Sequence, residues 1–288
     1  MPGRVLVLGN ASVDLLLTLP HLARPGETVV GIGGQRAPGG KGLNQAVMGA
    51  RTGAEVLFCA PLGADEAGSF VEAALRREPL GMLLPRPGPP TDLSVLMVAP
   101  DGENCIASTG DCAASLPEAV AEAFAAGAGP GDILLLQGNL SLAATLAGAR
   151  AARGRGARVL LNTAPVLWPV QAVLAECWAV VANAGEAERI TEVTGGLAAQ
   201  ALAMLGPALA IVTLGAAGCV LSPGGPMPAP PVTAVDTTGT GDAFCGVLAA
   251  ALAHGLGIPL AVAAAQRAAA DTVTRRGAFA ALPAAFAL

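Results

Sequence analysis

Short apolar runs alternate with longer helix-like runs along most of this chain. Arg4 to Leu8 reads as a strand ending in Gly9, and Glu55 to Ala60 as the next. Asp132 to Gln137, Ala157 to Leu161, Trp178 to Val181 and Leu209 to Leu214 continue the series. The helix-like runs are Leu43 to Gly53, Asp65 to Glu78, Leu142 to Arg153, Glu186 to Val193 and Leu197 to Leu205, with two more near 241–254 and 259–275. The strands are apolar without clean alternation, so both of their faces should be covered. Strands separated by helices predict an α/β fold with a mostly parallel sheet.

Two segments break this rhythm. Thr28 to Ala37 and Ser94 to Ser108 read as exposed strands, the second with a hairpin signal at Pro100-Asp101-Gly102. Strands that interrupt an α/β core suggest a small sheet projecting from it, or an extra edge hairpin. Val232 to Val235 reads as one more short strand, and Pro85 to Pro90 as a stiff connector within the domain. No internal repeat is visible.

Composition narrows the classes. The chain of 288 residues is 53% hydrophobic and 13% charged, about half the usual charged share, which excludes disorder. Sixteen Lys and Arg against 21 Asp and Glu give a net charge of −5, which argues against a nucleic-acid-binding surface. Two Trp, six Phe and no Tyr leave little for base stacking. Val193 to Val235 and Ala243 to Gln266 carry no charged residue, but both are cut by Gly and Pro. They read as buried elements, and no membrane span is expected. The opening MPGRVLVLGN is too short an apolar run for a signal peptide, so a cytoplasmic location is expected. The six cysteines show neither CxxC nor metal-like spacing and are assigned no chemistry. His21 and His254 stand alone, and Trp168 and Trp178 read as packing residues. Arg150, Arg153, Arg155 and Arg158 form a basic run at a helix end, where the dipole favours cations.

Two glycine-rich segments carry candidate chemistry. Asp236-Thr-Thr-Gly-Thr-Gly-Asp-Ala-Phe244 leads into a charge-free helix. A glycine turn entering a helix gathers N–H groups beside the positive end of the dipole, which suits a phosphate. Asp242 would then either cap that helix or accept the proton of a hydroxyl nucleophile beside the phosphate. Pro38-Gly-Gly-Lys-Gly-Leu-Asn-Gln45 is a second glycine-rich helix start. Lys41 and Asn44 could hydrogen-bond a polyol there, or Lys41 could simply be solvated. The segment lacks the GxxxxGK[ST] pattern.

In order and spacing, these segments resemble the ribokinase-like (PfkB) carbohydrate kinase family, and within it the ribokinase branch. The resemblance runs through Gly9-Asn-Ala-Ser-Val-Asp14, Pro25-Gly-Glu-Thr28, the GGKGLNQ segment at 39–45, Asn162-Thr-Ala-Pro165 and Asn183-Ala-Gly-Glu186. It continues through Thr213-Leu-Gly-Ala-Ala-Gly218, the DTTGTGD segment at 236–242 and Thr274-Arg-Arg-Gly277. It implies a three-layer α/β/α core in a single domain over 1–288, with lid strands inserted near 12–37 and 93–108. Asp242 would be the base, and Gly239, Thr240 and Gly241 the anion hole. Ser12, Asp14, Gly40, Lys41, Asn44 and Asn139 would hold the sugar. Asn183 and Glu186 would organise Mg²⁺ and phosphates, a role that does not exclude helix capping. Thr213, Gly215, Gly218 and Gln266 would line the ATP site. Asp236, Thr238, Thr272, Arg275 and Gly277 would form a loop for a monovalent cation, K⁺.

Three positions depart from the ribokinase pattern. Ser12 replaces an Asn, Asn139 replaces a sugar-contacting Glu, and Ala281 replaces a Ser near the cation loop. The resemblance implies an ATP-dependent sugar kinase acting on a primary hydroxyl, D-ribose to D-ribose 5-phosphate being preferred. Another sugar or a nucleoside is the alternative substrate, and a catalytically silent sugar- or nucleotide-binding regulator the alternative class. A homodimer is expected, joined through the projecting strands.

Overall fold

The apolar runs assemble into one nine-stranded sheet. A computed structural model describes residues 2–100 and 104–288. The strands, in sequence order, are β1 (Val5–Leu8), β2 (Ser12–Thr18), β3 (Gly33–Gly39), β4 (Val56–Cys59), β5 (Gly81–Leu83), β6 (Asp92–Val98), β7 (Asn104–Ser108), β8 (Ile133–Leu136), β9 (Arg158–Asn162), β10 (Ala179–Asn183), β11 (Leu209–Thr213), β12 (Cys219–Ser222) and β13 (Gly225–Met227). The large sheet runs β13-β12-β11-β10-β9-β8-β1-β4-β5. It is parallel except for the antiparallel β12 and β13 at one edge. The sequence shows little sign of that hairpin, because Pro223, Gly224 and Gly225 interrupt the apolar run and β13 is only three residues long.

The helices are α1 (Lys41–Ala50), α2 (Glu66–Leu75), α3 (Asp111–Ala114), α4 (Glu118–Ala125), α5 (Leu142–Gly154), α6 (Gln171–Leu174), α7 (Ala184–Thr191), α8 (Leu197–Ala203), α9 (Thr240–Ala253) and α10 (Ile258–Thr272). Two cores result, one on each face of the sheet. Residues of α1, α2, α9 and α10 fill one, around Phe58, Leu43, Met48 and Leu248. Residues of α3 to α8 fill the other, around Leu134, Leu136 and Leu202. The central strands β1 and β8 are fully buried, which explains why they show no alternation. The molecule is therefore a three-layer α/β/α sandwich.

A second, four-stranded sheet stands apart, in the order β3-β2-β6-β7. β2 pairs antiparallel to β3 and parallel to β6, and β6 antiparallel to β7. The turn signal at Pro100-Asp101-Gly102 lies largely outside the described residues. The expected strand at Thr28 to Ala37 starts later, at Gly33. Val30 and Ile32 lie before it and stay 81% and 70% exposed. Asp92, buried at the root of β6, accepts hydrogen bonds from the N–H groups of Cys112 and Ala113 and from the Thr109 hydroxyl. This anchors the projecting sheet to the sandwich. Val232 to Val235 is not a strand. Its end is held instead by the N–H groups of Val235 and Asp236, which donate to the Val273 carbonyl beyond α10.

Candidate active site

In an open parallel sheet, the loops that follow the carboxyl ends of the strands converge where the connections change direction. Here β4 flanks β1 on one side and β8 on the other. Asn10 and Ser12 follow β1, and Gln137 and Asn139 follow β8. Asn162, Asn183 and Thr213 end β9, β10 and β11. The amino ends of α1 and α9, which pack together, open onto the same end.

The two glycine-rich helix starts differ in one respect that decides their chemistry. Gly40 and Gly239 are the residues before α1 and α9, with φ of 99° and 78°. Both dihedrals lie where glycine is at ease and other residues are strained. At Gly239 an added Cβ would also sit 3.0 Å from the Ala278 Cα. The start of α1 is tied down by Asn10, whose side-chain oxygen accepts from Gly42 N–H at 3.2 Å and whose carbonyl accepts from Leu43 N–H at 3.0 Å. At α9, the N–H groups of Gly241 and Asp242 have no acceptor among the described residues. The second start is thus the one left open, with N–H donors free to meet an acceptor. Thr240 folds back onto the turn, its hydroxyl donating to the Thr237 carbonyl.

Asp242 does not cap its helix. Its side chain is buried, with Oδ2 accepting from Asn44 Nδ2 at 3.2 Å and Oδ1 from Gln45 Nε2 at 3.1 Å. Asn44 Oδ1 and Asn139 Oδ1 are buried oxygens without a hydrogen-bond partner. Buried acceptors are rarely left so, and each suits a donor from a bound molecule. Asp14, on β2, takes a hydrogen bond from the Ser12 hydroxyl at 3.3 Å. Burial pushes its carboxyl up to about 6, and the charge of Asp242 adds to this. Ser12, Ser94 and Lys41 pull the other way. Lys41 is half-buried in the first turn of α1.

Asn183 and Glu186 form a capping box at the start of α7. Asn183 Oδ1 accepts from Glu186 N–H at 2.8 Å, and Glu186 Oε2 accepts from Asn183 N–H at 3.0 Å. Glu186 also takes bonds from Asn183 Nδ2 and the Thr163 hydroxyl. Thr213 ends β11, and Gly215 and Gly218 bracket the short turn after it. Gln266 is buried on α10, and its Nε2 is committed to the Met227 carbonyl at 2.9 Å and the Cys219 sulfur at 3.3 Å. In the loop before α9, Asp236 Oδ1 accepts from the N–H and hydroxyl of Thr238, and Oδ2 from Gly277 N–H at 2.8 Å. Burial opposes the Asp236 charge, but these bonds and Arg276 outweigh it and hold the carboxyl below its ordinary value. Thr272 is buried at the end of α10, and Arg275 donates to Ala281 and Asp271.

Four residues of this region were not singled out as site residues by sequence reasoning: Asn10, Gln45, Gln137 and Asn162. Each lies inside or beside a segment noted above, but its partner is distant in the chain. Outside the site, Trp168 donates to the Leu140 carbonyl, and Arg150 and Arg153 pair with Glu176.

Residues 3–285 match the family described as pfkB family carbohydrate kinase. The chain belongs to that family. It is a phosphotransferase with an alcohol acceptor. Among curated relatives, it is 32% identical to the ribokinase of Haemophilus influenzae, over 96% of this chain and 94% of that one. It is 31% identical to the ribokinase of Bacillus subtilis, over 97% and 96%. The crystal structure of ribokinase from Thermotoga maritima superposes with a TM-score of 0.89 at 29% identity, covering 98% of this chain and 96% of that one. Ribokinase of Arabidopsis thaliana, complexed with ribose and ATP, gives 0.84 at 27%, with the same coverage.

Proposed function

We propose that this chain is an ATP-dependent sugar kinase that phosphorylates the primary hydroxyl of a monosaccharide, with D-ribose as its preferred substrate. One observation carries the reading. A buried carboxylate, Asp242, lies in the first turn of α9 beside unpartnered N–H groups, with each of its oxygens held by a side-chain amide. The alternative of a silent binding regulator gives no reason to bury a charge there. The ribose and ATP bound to the Arabidopsis relative support the substrate pair.

In this mechanism the sugar lies between the projecting sheet and α1. Asp14, Gly40, Lys41, Asn44 and Asn139 hold its hydroxyls, and Ser12 orients Asp14. The unpartnered Oδ1 atoms of Asn44 and Asn139 each take a hydroxyl proton in hydrogen bonding. Asp242 accepts the proton of the primary hydroxyl as its oxygen attacks the γ-phosphorus. The new O–P bond forms as the bond to the β-phosphate oxygen breaks, and ADP leaves. The turn at Gly239 to Gly241 and the dipole of α9 neutralise charge on the transferring group. Thr213, Gly215 and Gly218 line the nucleotide. Gln266 supports that wall through Met227.

The residues present fit the ions this chemistry uses. Glu186 accepts three hydrogen bonds, and a carboxylate offers about four sites, so one remains for a water on Mg²⁺. Mg²⁺ bound there with Asn183 would offset phosphate charge. Asp236, Thr238, Thr272, Arg275 and Gly277 supply carboxylate, hydroxyl and carbonyl oxygens, a hard set that suits K⁺. K⁺ there would stiffen the turn before α9. We also place the enzyme in the cytoplasm as a homodimer joined through the projecting sheet. All six cysteines are free, as in a reducing compartment. No helix among the described residues is long and apolar enough to cross a membrane.

The test is a coupled ADP-release screen across pentoses, hexoses and nucleosides. D-ribose should give the highest kcat/KM. ADP release independent of any added alcohol would refute the sugar-kinase reading, and a faster hexose or nucleoside would replace ribose.

A further inference from the structure

A chain of side-chain amides runs through the core behind Asp242, and the proposed mechanism does not use it. Gln45 is fully buried on α1. Its Nε2 donates to Asp242 Oδ1 and to Asn162 Oδ1, each at 3.1 Å. Its Oε1 accepts from Gln137 Nε2 at 2.8 Å. Gln137 is itself buried, with its own Oε1 unpartnered. Both protons of the Gln45 amide and its oxygen are therefore engaged.

The direction of the chain follows from the charge at its end. A carboxylate can only accept, so Gln45 must present nitrogen to Asp242. Its oxygen is then forced towards Gln137, which must present nitrogen in turn. Reversing Gln45 would set its oxygen against the oxygens of Asp242 and Asn162. The polarity ends at Gln137, whose oxygen carries the cost of being unpartnered. An orphaned buried acceptor at the far end suggests that the order of the chain serves Asp242.

We propose that Gln45 is a positioning residue for the base, and that Gln137 acts through it by fixing the direction of its amide. The proposal rests on the reading of Asp242 as the proton acceptor. A charge-assisted hydrogen bond from a fully packed side chain holds one carboxylate oxygen, and Asn44 holds the other. A displacement of about 1 Å at a reacting group can cost on the order of 10²-fold in rate.

The experiment compares wild type, Gln45→Met, Gln137→Met, the double variant and Asp242→Asn, with D-ribose and ATP. Calorimetric titration with D-ribose gives the binding stoichiometry, so each kcat is counted per folded molecule. Gln45→Met should lower kcat by about 10- to 100-fold, and Gln137→Met by a smaller factor. KM for ribose should change less than about twofold in both. The double variant should be no slower than Gln45→Met alone, because Gln137 acts only through Gln45. A wild-type kcat in folded Gln45→Met, or multiplied losses in the double variant, would overturn the proposal. If Gln45→Met does not fold, Gln137→Met decides alone, and an unchanged kcat there overturns it. Wild-type activity in Asp242→Asn would instead sink the base assignment itself.

Discussion

Replacing Asp14 with Asn should make the empty enzyme more stable at neutral pH and less able to bind sugar. Asp14 is half-buried on β2 near the charge of Asp242, and its carboxyl is pushed from 3.8 up to about 6. The sign follows from proton counting. Below pH 3.8, folded and unfolded chains both carry the proton, and the group contributes nothing. Between 3.8 and about 6 the unfolded chain releases its proton while the folded chain keeps it, so stability falls as pH rises. Above about 6 both are ionised and the full penalty stands. Two units correspond to about 3 kcal/mol, and water reaching this half-buried group reduces the penalty to about 1–2 kcal/mol.

Asn cannot ionise and escapes the penalty. At a few degrees per kcal/mol, Asp14→Asn should raise Tm by about 2–8 °C near pH 8 and by almost nothing near pH 4. Its kcat/KM for ribose should fall by at least about 10²-fold, since a charged acceptor for the sugar hydroxyls is lost. In the wild type, KM for ribose should rise as pH drops below about 6 and Asp14 takes up its proton. The assay is differential scanning calorimetry of both proteins at the two pH values, with initial rates alongside. An equal Tm difference at pH 4 and pH 8 would refute the reasoning, because only ionisation separates the two conditions.

Asp242→Asn should keep the fold and lower kcat by about 10²–10⁴-fold, measured by ADP release with circular dichroism as the fold control. Gly239→Ala must place a side chain at φ 78° against Ala278, so urea unfolding should show a loss of about 1–2 kcal/mol, with a reduced kcat. Added KCl should raise the initial rate more than NaCl at matched ionic strength in a buffer free of alkali ions; equal rates would remove the cation assignment. Light scattering at micromolar concentration should give the mass of a dimer. The projecting sheet offers Ile106 at 53% and Leu93 at 39% exposure to a partner, and a monomer would leave them bare.

The central strands were legible because their signal is local. A run such as Leu134, Leu135 and Leu136 has few options other than the middle of a covered sheet. The two glycine turns were equally plain, since backbone freedom and helix entry are written in adjacent residues. The family, too, was readable from its motifs in order. Val232 to Val235 shows the limit. Its apolar residues look like a strand, but the segment joins neither sheet, and Val232 and Val235 stay about half exposed.

Asp242 could be read from the chain as either cap or base, and only packing shows that it does not cap. The amides that hold it, Asn44 and Gln45, lie 198 and 197 residues away in sequence. Gln137 and Asn162 reach Gln45 across 92 and 117 residues. A separation of 32 residues, between Asn10 and Gly42, likewise hid the contrast between the helix start closed by Asn10 and the one left open at Gly241. Local sequence sets the conformation of each turn and the burial of each run. Which donors meet which acceptor depends on strands that end side by side after long crossovers, and that is decided by the folded sheet.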